Sequence, residues 1–156
     1  MGTPIKSQKT ELFWASAATT ATRAVAVSSI SGLGGAKDQI ETTTLDNASD
    51  KTFVAGLGNP GQVTIDFIVH SGESSHEALL ALKDSGASVS WGIYSSEAAT
   101  APTAVGSVMQ AVVGRSSAIF TGYVADINID MSGNDVWKGS ITIQRSGTVA
   151  FDLLVT

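Results

Sequence analysis

The chain contains no cysteine, which excludes a disulfide scaffold, a thiolate metal site and a thiol nucleophile. Charge is scarce. Asp, Glu, Lys and Arg make up 15% of the 156 residues, against about 25% in an average soluble domain. Nine basic residues against fourteen acidic ones leave a net charge of −5. That balance excludes a nucleic-acid binder that works by neutralising phosphates. No run of eighteen apolar residues occurs, so no segment reads as a membrane-spanning helix. Met1–Thr10 carries two lysines with no apolar stretch behind them, so it does not read as a secretory signal.

Small residues fill the space that charge leaves. Ala (20), Ser (20), Thr (16) and Gly (16) together supply 72 positions. Fourteen Val beside the Thr give the chain a β-branched content that a disordered segment lacks. One domain over residues 1–156 fits this length, with enough material for a proper core.

Period-two alternation is the strongest local pattern. Over Gln62–His70, Val63, Ile65, Phe67 and Val69 point one way, and Thr64, Asp66, Ile68 and His70 the other. Ala118–Met131 alternates again: Ile119, Tyr123, Ile127, Ile129 and Met131 share a face opposite Phe120, Val124, Asp126, Asn128 and Asp130. At ~3.3 Å per residue this strand exceeds about 40 Å. Ser132–Asp135 reads as a turn, and Val136–Arg145 as the returning strand, with Trp137, Ile141 and Ile143 on one face. Ser146-Gly147 reads as a second turn before a last strand, Thr148–Val155, which makes a meander. Shorter strands are predicted at Glu11–Ser16, Ala24–Ile30, Gln39–Leu45 and Ala87–Ser95. One helix is predicted at Ser75–Asp84, with Ser74 and Glu77 as a capping box and Gly86 as the left-handed C-terminal cap. Two long stretches, 46–60 and 97–117, read as loops, both with apolar residues. The expected fold class is mainly β: an antiparallel β-sandwich or partial barrel with one short α-helix.

The pattern yields no catalytic, cofactor or metal set. His70 and His76 lie near Glu73 and Glu77, but no spacing puts three ligands on one rigid face. Gly32–Gly35 and Gly56–Gly61 lack the following Lys-Ser/Thr of a phosphate loop. No serine sits in a Gly-x-Ser-x-Gly elbow. Asp126 and Asp130 stand about 13 Å apart along a strand, too far for a glycosidase pair. Trp14, Trp91 and Trp137 read as core anchors. A monomeric sugar-binding β-sandwich would instead need Tyr94, Trp14 or Phe120 exposed on a concave face.

The order of elements over Ile40–Gly86 resembles the tail tube proteins of long-tailed bacteriophages. The pieces are Thr42–Asp46 entering a long loop, Gly56-Leu57, the Gly61–Phe67 strand, and the Leu79–Gly86 helix end. Phe120–Asp126 followed by a returning strand fits the same order. The resemblance implies a self-assembling subunit of a hexameric ring. Rings stack into a hollow tube through which the genome leaves the virion. Each subunit gives strands to an inner barrel, the helix lies outside, and the loop after the early strands makes contacts between rings. It also implies tape measure, tail terminator and tail tip proteins as partners, no cofactor, assembly in the host cytoplasm, and DNA that passes without specific binding. Carried onto this chain, Glu41, Asp66, Asp126, Asn128 and Asp130 are lumen candidates. Lys138 could pair across strands with an Asp. Asp46, Asp50, Phe53, Val54, Leu57, Pro60, Val108 and Val112 are candidates for contacts between subunits or rings. A type VI secretion tube shares the architecture and is the nearest alternative.

Overall fold

The computed structural model describes residues 2–46 and 49–154. Among the described residues, eleven strands and one helix follow in the order β1 (Glu11–Ala15), β2 (Ala21–Ala24), β3 (Val27–Ser31), β4 (Lys37–Glu41), β5 (Phe53–Gly58), β6 (Gln62–Ile68), α1 (Ser74–Ser85), β7 (Ser88–Tyr94), β8 (Ala104–Val105), β9 (Val108–Met109), β10 (Ser117–Asp130) and β11 (Lys138–Asp152). Seven form one antiparallel sheet in the order β2-β1-β7-β10-β11-β6-β3. β4–β5 and β8–β9 are separate two-stranded hairpins.

The sheet is curled by its own connectivity. Its two edge strands, β2 and β3, are joined by only Val25 and Ala26. Both edges must therefore come within a short distance of each other, and the seven strands form a partial barrel. Ala26 takes a positive φ of 62° to make that link, and its carbonyl accepts a bond from the Ile68 N–H. The pattern at Ala24–Ile30 predicts one strand. Two form, because this turn sends the chain from one edge of the sheet to the other.

Inside the curl lies the main core. Leu12, Trp14, Val63, Ile65, Phe67, Trp91, Ile93, Phe120, Val124, Ile127, Ile141 and Ile143 all bury there. Helix α1 seals it with Leu79, flanked by Ala78 and Leu82. Trp91 donates from its indole nitrogen to the Gly122 carbonyl at 3.1 Å, which satisfies the ring's one polar atom. The helix ends at Gly86, whose φ of 66° lets its N–H reach the Leu82 carbonyl. Its start differs from the expectation. Glu73 occupies the N-cap without a side-chain bond, so the Ser74–Glu77 capping box does not form.

The long hairpin departs from strict alternation in two places. Ladder partners shift between Val124 and Asp126, so a β-bulge at Ala125 resets the phase. Phe120 and Val124 face the core before it, and Ile127 after it. The single apolar face expected for Ile119, Tyr123 and Ile127 is therefore split. Ser146-Gly147 is likewise a bulge within β11, because Thr121 pairs with Ser146 and Ile119 with Ala150. β11 runs on as one strand to Asp152, and no meander forms; Val155, the end of the expected last strand, lies outside the described residues. Trp137 precedes β11 and is about half exposed, whereas Trp14 and Trp91 are core anchors as expected.

Leu79→Ala should lower unfolding stability by about 2–5 kcal/mol, because it opens a cavity under the helix. Leu80→Ala, on the exposed side of the same turn, should change it by less than about 0.5 kcal/mol. Urea denaturation followed by circular dichroism measures both.

Candidate functional site

The second face of the sheet divides into two regions. Over β6, β11 and the far half of β10 it is open and polar. Register places Gln62 beside Gln144, Thr64 beside Thr142, and Asp66 beside Ser140. On the other side of β11, Tyr123 lies beside Gln144, Asp126 beside Thr142, Asn128 beside Ser140 and Asp130 beside Lys138. Cross-strand partners share a face, so these side chains form one continuous surface. It carries three carboxylates, Asp66, Asp126 and Asp130, against the ammonium of Lys138.

Most of these charges have local partners. Asp66 accepts a 2.8 Å bond from the Ser29 hydroxyl. The Asn128 amide donates to both oxygens of Asp130 at 3.2 Å. Asp126 lies 3.7 Å from Nζ of Lys83 on α1, so it is tied to the helix. Lys138 pairs with Asp135 at 2.8 Å inside the turn, and not with Asp130 across the ladder. That contact, chiefly its hydrogen bond, holds the Asp135 carboxyl below its usual range and the Lys138 ammonium above its own. Glu41 departs from the expected set. It sits on β4, away from this face, 3.8 Å from Lys51.

Over β1, β7 and the near half of β10 the same face is covered. The segment 97–117 folds back on it with the β8–β9 hairpin, and Phe13, Ala15, Tyr94, Ala104, Met109 and Val112 bury in a second core. Val112 is thus spent within the chain and cannot make the contact between subunits expected of it. Val105, Val108 and Val113 remain exposed on the flap.

One buried cation organises this flap. The Arg115 guanidinium is 1% exposed. Its Nε donates to the Ser95 carbonyl and Nη1 to the Thr100 carbonyl, both at 2.8 Å, and Nη2 reaches Glu11 at 3.4 Å. It also stacks 5.5 Å above the Tyr94 ring. Burial pushes the Tyr94 hydroxyl up to about 12, offset in part by Arg115. The hydroxyl instead donates to the Gln110 carbonyl at 2.7 Å. Glu97 closes the base of the flap by accepting bonds from the Ser116 N–H at 2.8 Å and the Ser95 hydroxyl at 2.6 Å. These bonds hold its carboxyl below the ordinary 4.5. The sequence pattern singles out neither Arg115 nor Glu97, because most of their partners, the Thr100 carbonyl, Glu11 and the Ser116 N–H among them, are brought near only by folding.

The segment expected as a loop over 46–60 is half strand. Its Phe53–Gly58 portion is β5, and with β4 it makes an arm apart from the main sheet. Ile40, Phe53, Val54 and Leu57 are all exposed there, Leu57 to 84%. Asp46 and Asp50 lie exposed at its far end and Pro60 at its base. Residues 47 and 48 of this segment lie outside the described residues.

The remaining candidates are structural. Nδ1 of His76 accepts from the His70 N–H at 3.2 Å, and Nε2 lies 2.9 Å from the Val25 carbonyl, so both ring nitrogens are engaged by backbone. Tyr94, Trp14 and Phe120 are buried, so none forms an exposed sugar-stacking platform.

Solved structures share this arrangement. The SPP1 tail tube matches with a TM-score of 0.66 at 11% identity, over 96% of this chain and 80% of that one. The sheath/tube terminator of the extracellular contractile injection system PVC matches with a TM-score of 0.69 at 15% identity, over 97% and 98%. The tube-terminating cap of the anti-feeding prophage matches with a TM-score of 0.66 at 16% identity, over 97% and 93%. The fold class is therefore the curled antiparallel sheet with one helix found in tail tubes and injection-system components. Sequence gives the particular family. Residues 3–154 match the family described as phage tail tube, TTP, lambda-like, and the chain belongs to it. Structural protein 3 of Pseudomonas phage PAJU2 is 35% identical over 149 residues, covering 92% of this chain and 90% of that protein. The chain is a structural component of a phage tail.

Arg115→Met should cost about 3 kcal/mol, since it strands the Ser95 and Thr100 carbonyls and leaves Glu11 with Arg23 alone. Denaturant titration measures it. The flap should also respond to acid. A folded-state value below the ordinary one means that the Glu97 contribution is complete above about 4.5 and is lost as pH falls through the lower folded value. Proteolytic cleavage within 97–117 should therefore rise in acid, and Glu97→Gln should flatten that dependence.

Proposed function

We propose that the chain assembles with copies of itself into stacked rings, six subunits to a ring, that form the tail tube through which DNA leaves the virion. The observation that carries this reading is the β4–β5 arm. An exposed hairpin bearing Ile40, Phe53, Val54 and Leu57 has no core of its own and gains from burial against another copy. In this reading Phe53, Val54, Leu57, Asp46, Asp50 and Pro60 make contacts between rings, and Val108 on the flap adds to them. The 35% identity to a phage structural protein favours a phage tail over a secretion tube.

The open polar face then lines the lumen, with Asp66, Asp126, Asn128 and Asp130 on it. Duplex DNA carries about one negative charge per 1.7 Å, and a basic wall would hold it by releasing counterions. A wall of Asp, Asn, Ser and Thr repels it weakly and offers it few cations to hold it. Glu41 belongs to the arm and not to this wall. Tail terminator, tape measure and tail tip proteins are the further partners in this reading. A terminator and a cap share the fold, which supports related surfaces meeting at the tube ends. Assembly takes place in the host cytoplasm.

Electron microscopy of the purified protein tests the assembly. Tubes or rings are expected from the unaltered chain. Leu57→Asp should stop stacking and leave single rings or monomers. A strictly monomeric species at high concentration would falsify the reading. For the wall, Asp66→Lys with Asp130→Lys should leave tubes intact and slow DNA release in a salt-dependent way. Unchanged release would remove the lumen assignment.

A further inference from the structure

The long hairpin exposes apolar surface at both of its ends. At its tip, Met131, Val136 and Trp137 are each exposed to more than half. A turn gains nothing from three apolar side chains in water, and an exposed indole is a typical anchor for a protein contact. At the other end lies a groove of about 400 Å³ between the base of the β4–β5 arm and the last part of β11. Leu33, Lys37, Pro60, Arg145, Val149 and Phe151 line it. Past Arg145, the outer edge of β11 has no strand beside it among the described residues.

Arg145 marks the groove as unfinished. Its side chain is buried, and Nη2 donates to the Gly34 carbonyl, but Nε has no partner among the described residues. A buried donor without a partner is costly, and an acceptor on a docked segment would offset that cost. The charges are complementary. Lys37 and Arg145 make the groove basic, while Asp130 and the Asp135–Lys138 pair leave the tip with one net negative charge.

We propose that the groove of one copy receives the Met131–Trp137 tip of the next, with the Trp137 indole against Val149 and Phe151. This rests on the tube reading and names a contact that holds the stack together. Groove and tip lie about 25–40 Å apart along one stiff strand, at ~3.3 Å per residue, so no chain can fill its own groove. A contact between two different patches that does not close on itself builds a linear stack.

The absence of native cysteine makes the test direct. Asn134→Cys at the tip and Thr148→Cys at the groove, in one chain, are assembled and oxidised. A ladder of covalent multiples on a denaturing gel is expected, because each copy links to two neighbours. Either single variant should stop at dimer at most. Tubes that form without a ladder overturn the docking and leave the tube reading standing. An unaltered chain that forms neither tubes nor rings overturns the tube reading itself. Leu57→Cys with Thr148→Cys giving the ladder instead would assign the groove to the arm and overturn the proposal.

Fluorescence gives a second measure. Trp14 and Trp91 are buried, so Trp137 supplies the quenchable emission of the free subunit. Acrylamide quenching should fall on assembly to the level of a Trp137→Phe variant, and quenching that stays unchanged in tubes overturns the contact. Trp137→Ala should raise the critical concentration for assembly about tenfold or more.

Discussion

Strand register in the β10–β11 ladder is the constraint on which the rest of the structure depends. A strand presents alternate residues to opposite faces, so one inserted residue moves every later side chain across the sheet. Here the bulge at Ala125 keeps Phe120, Val124 and Ile127 all in the core. Without it, Ile127 would point into the polar face and Asp126 into the core. The bulge at Ser146-Gly147 lets β11 stay paired to the full length of β10. The two together keep strands of 14 and 15 residues paired as one hairpin.

That hairpin sets where everything else can attach. β7 pairs along its first half and carries β1 and β2 outward, and β6 pairs along its second half and carries β3. The offset leaves each half of the sheet with a different second face. Over the first half the face is closed by the flap, held by Arg115 among the Ser95, Thr100 and Glu11 oxygens. Over the second half it stays open, with side chains that are small, polar and only weakly charged.

This division explains a composition low in charge. A lightly charged chain is poorly protected against association, and each charge placed at a contact between copies must be desolvated. The arm exposes Ile40, Phe53, Val54 and Leu57 and the flap Val105, Val108 and Val113, while the open face carries small polar residues with Asp66, Asp126 and Asp130 among them. Small residues at close approaches do related work. A Cβ at Gly139 would overlap the Phe67 ring, so glycine lets β11 and β6 pack with that ring across them.

Much of this was legible in the residues. Alternation over Gln62–Ile68, the helix ending at Gly86 and the turn at Ser132–Asp135 need only local geometry and hydrophobic period, so the sheet class could be read from them, and the ordered pieces over Ile40–Gly86 carried the resemblance to the family. The resemblance also pointed to the arm segment, although its strand was hidden because β5 pairs only with β4 and shows no alternation of burial. Other features depend on partners far along the chain. The bulges exist because two long strands must match both core and ladder, and no short window records that match. Asp126 finds Lys83 and Arg115 finds Glu11 only once the fold sets their distances. Local sequence thus determined which segments could be strands and what they could bury. Tertiary structure alone decided which face each residue took, because a face is a property of register between strands and not of a strand by itself.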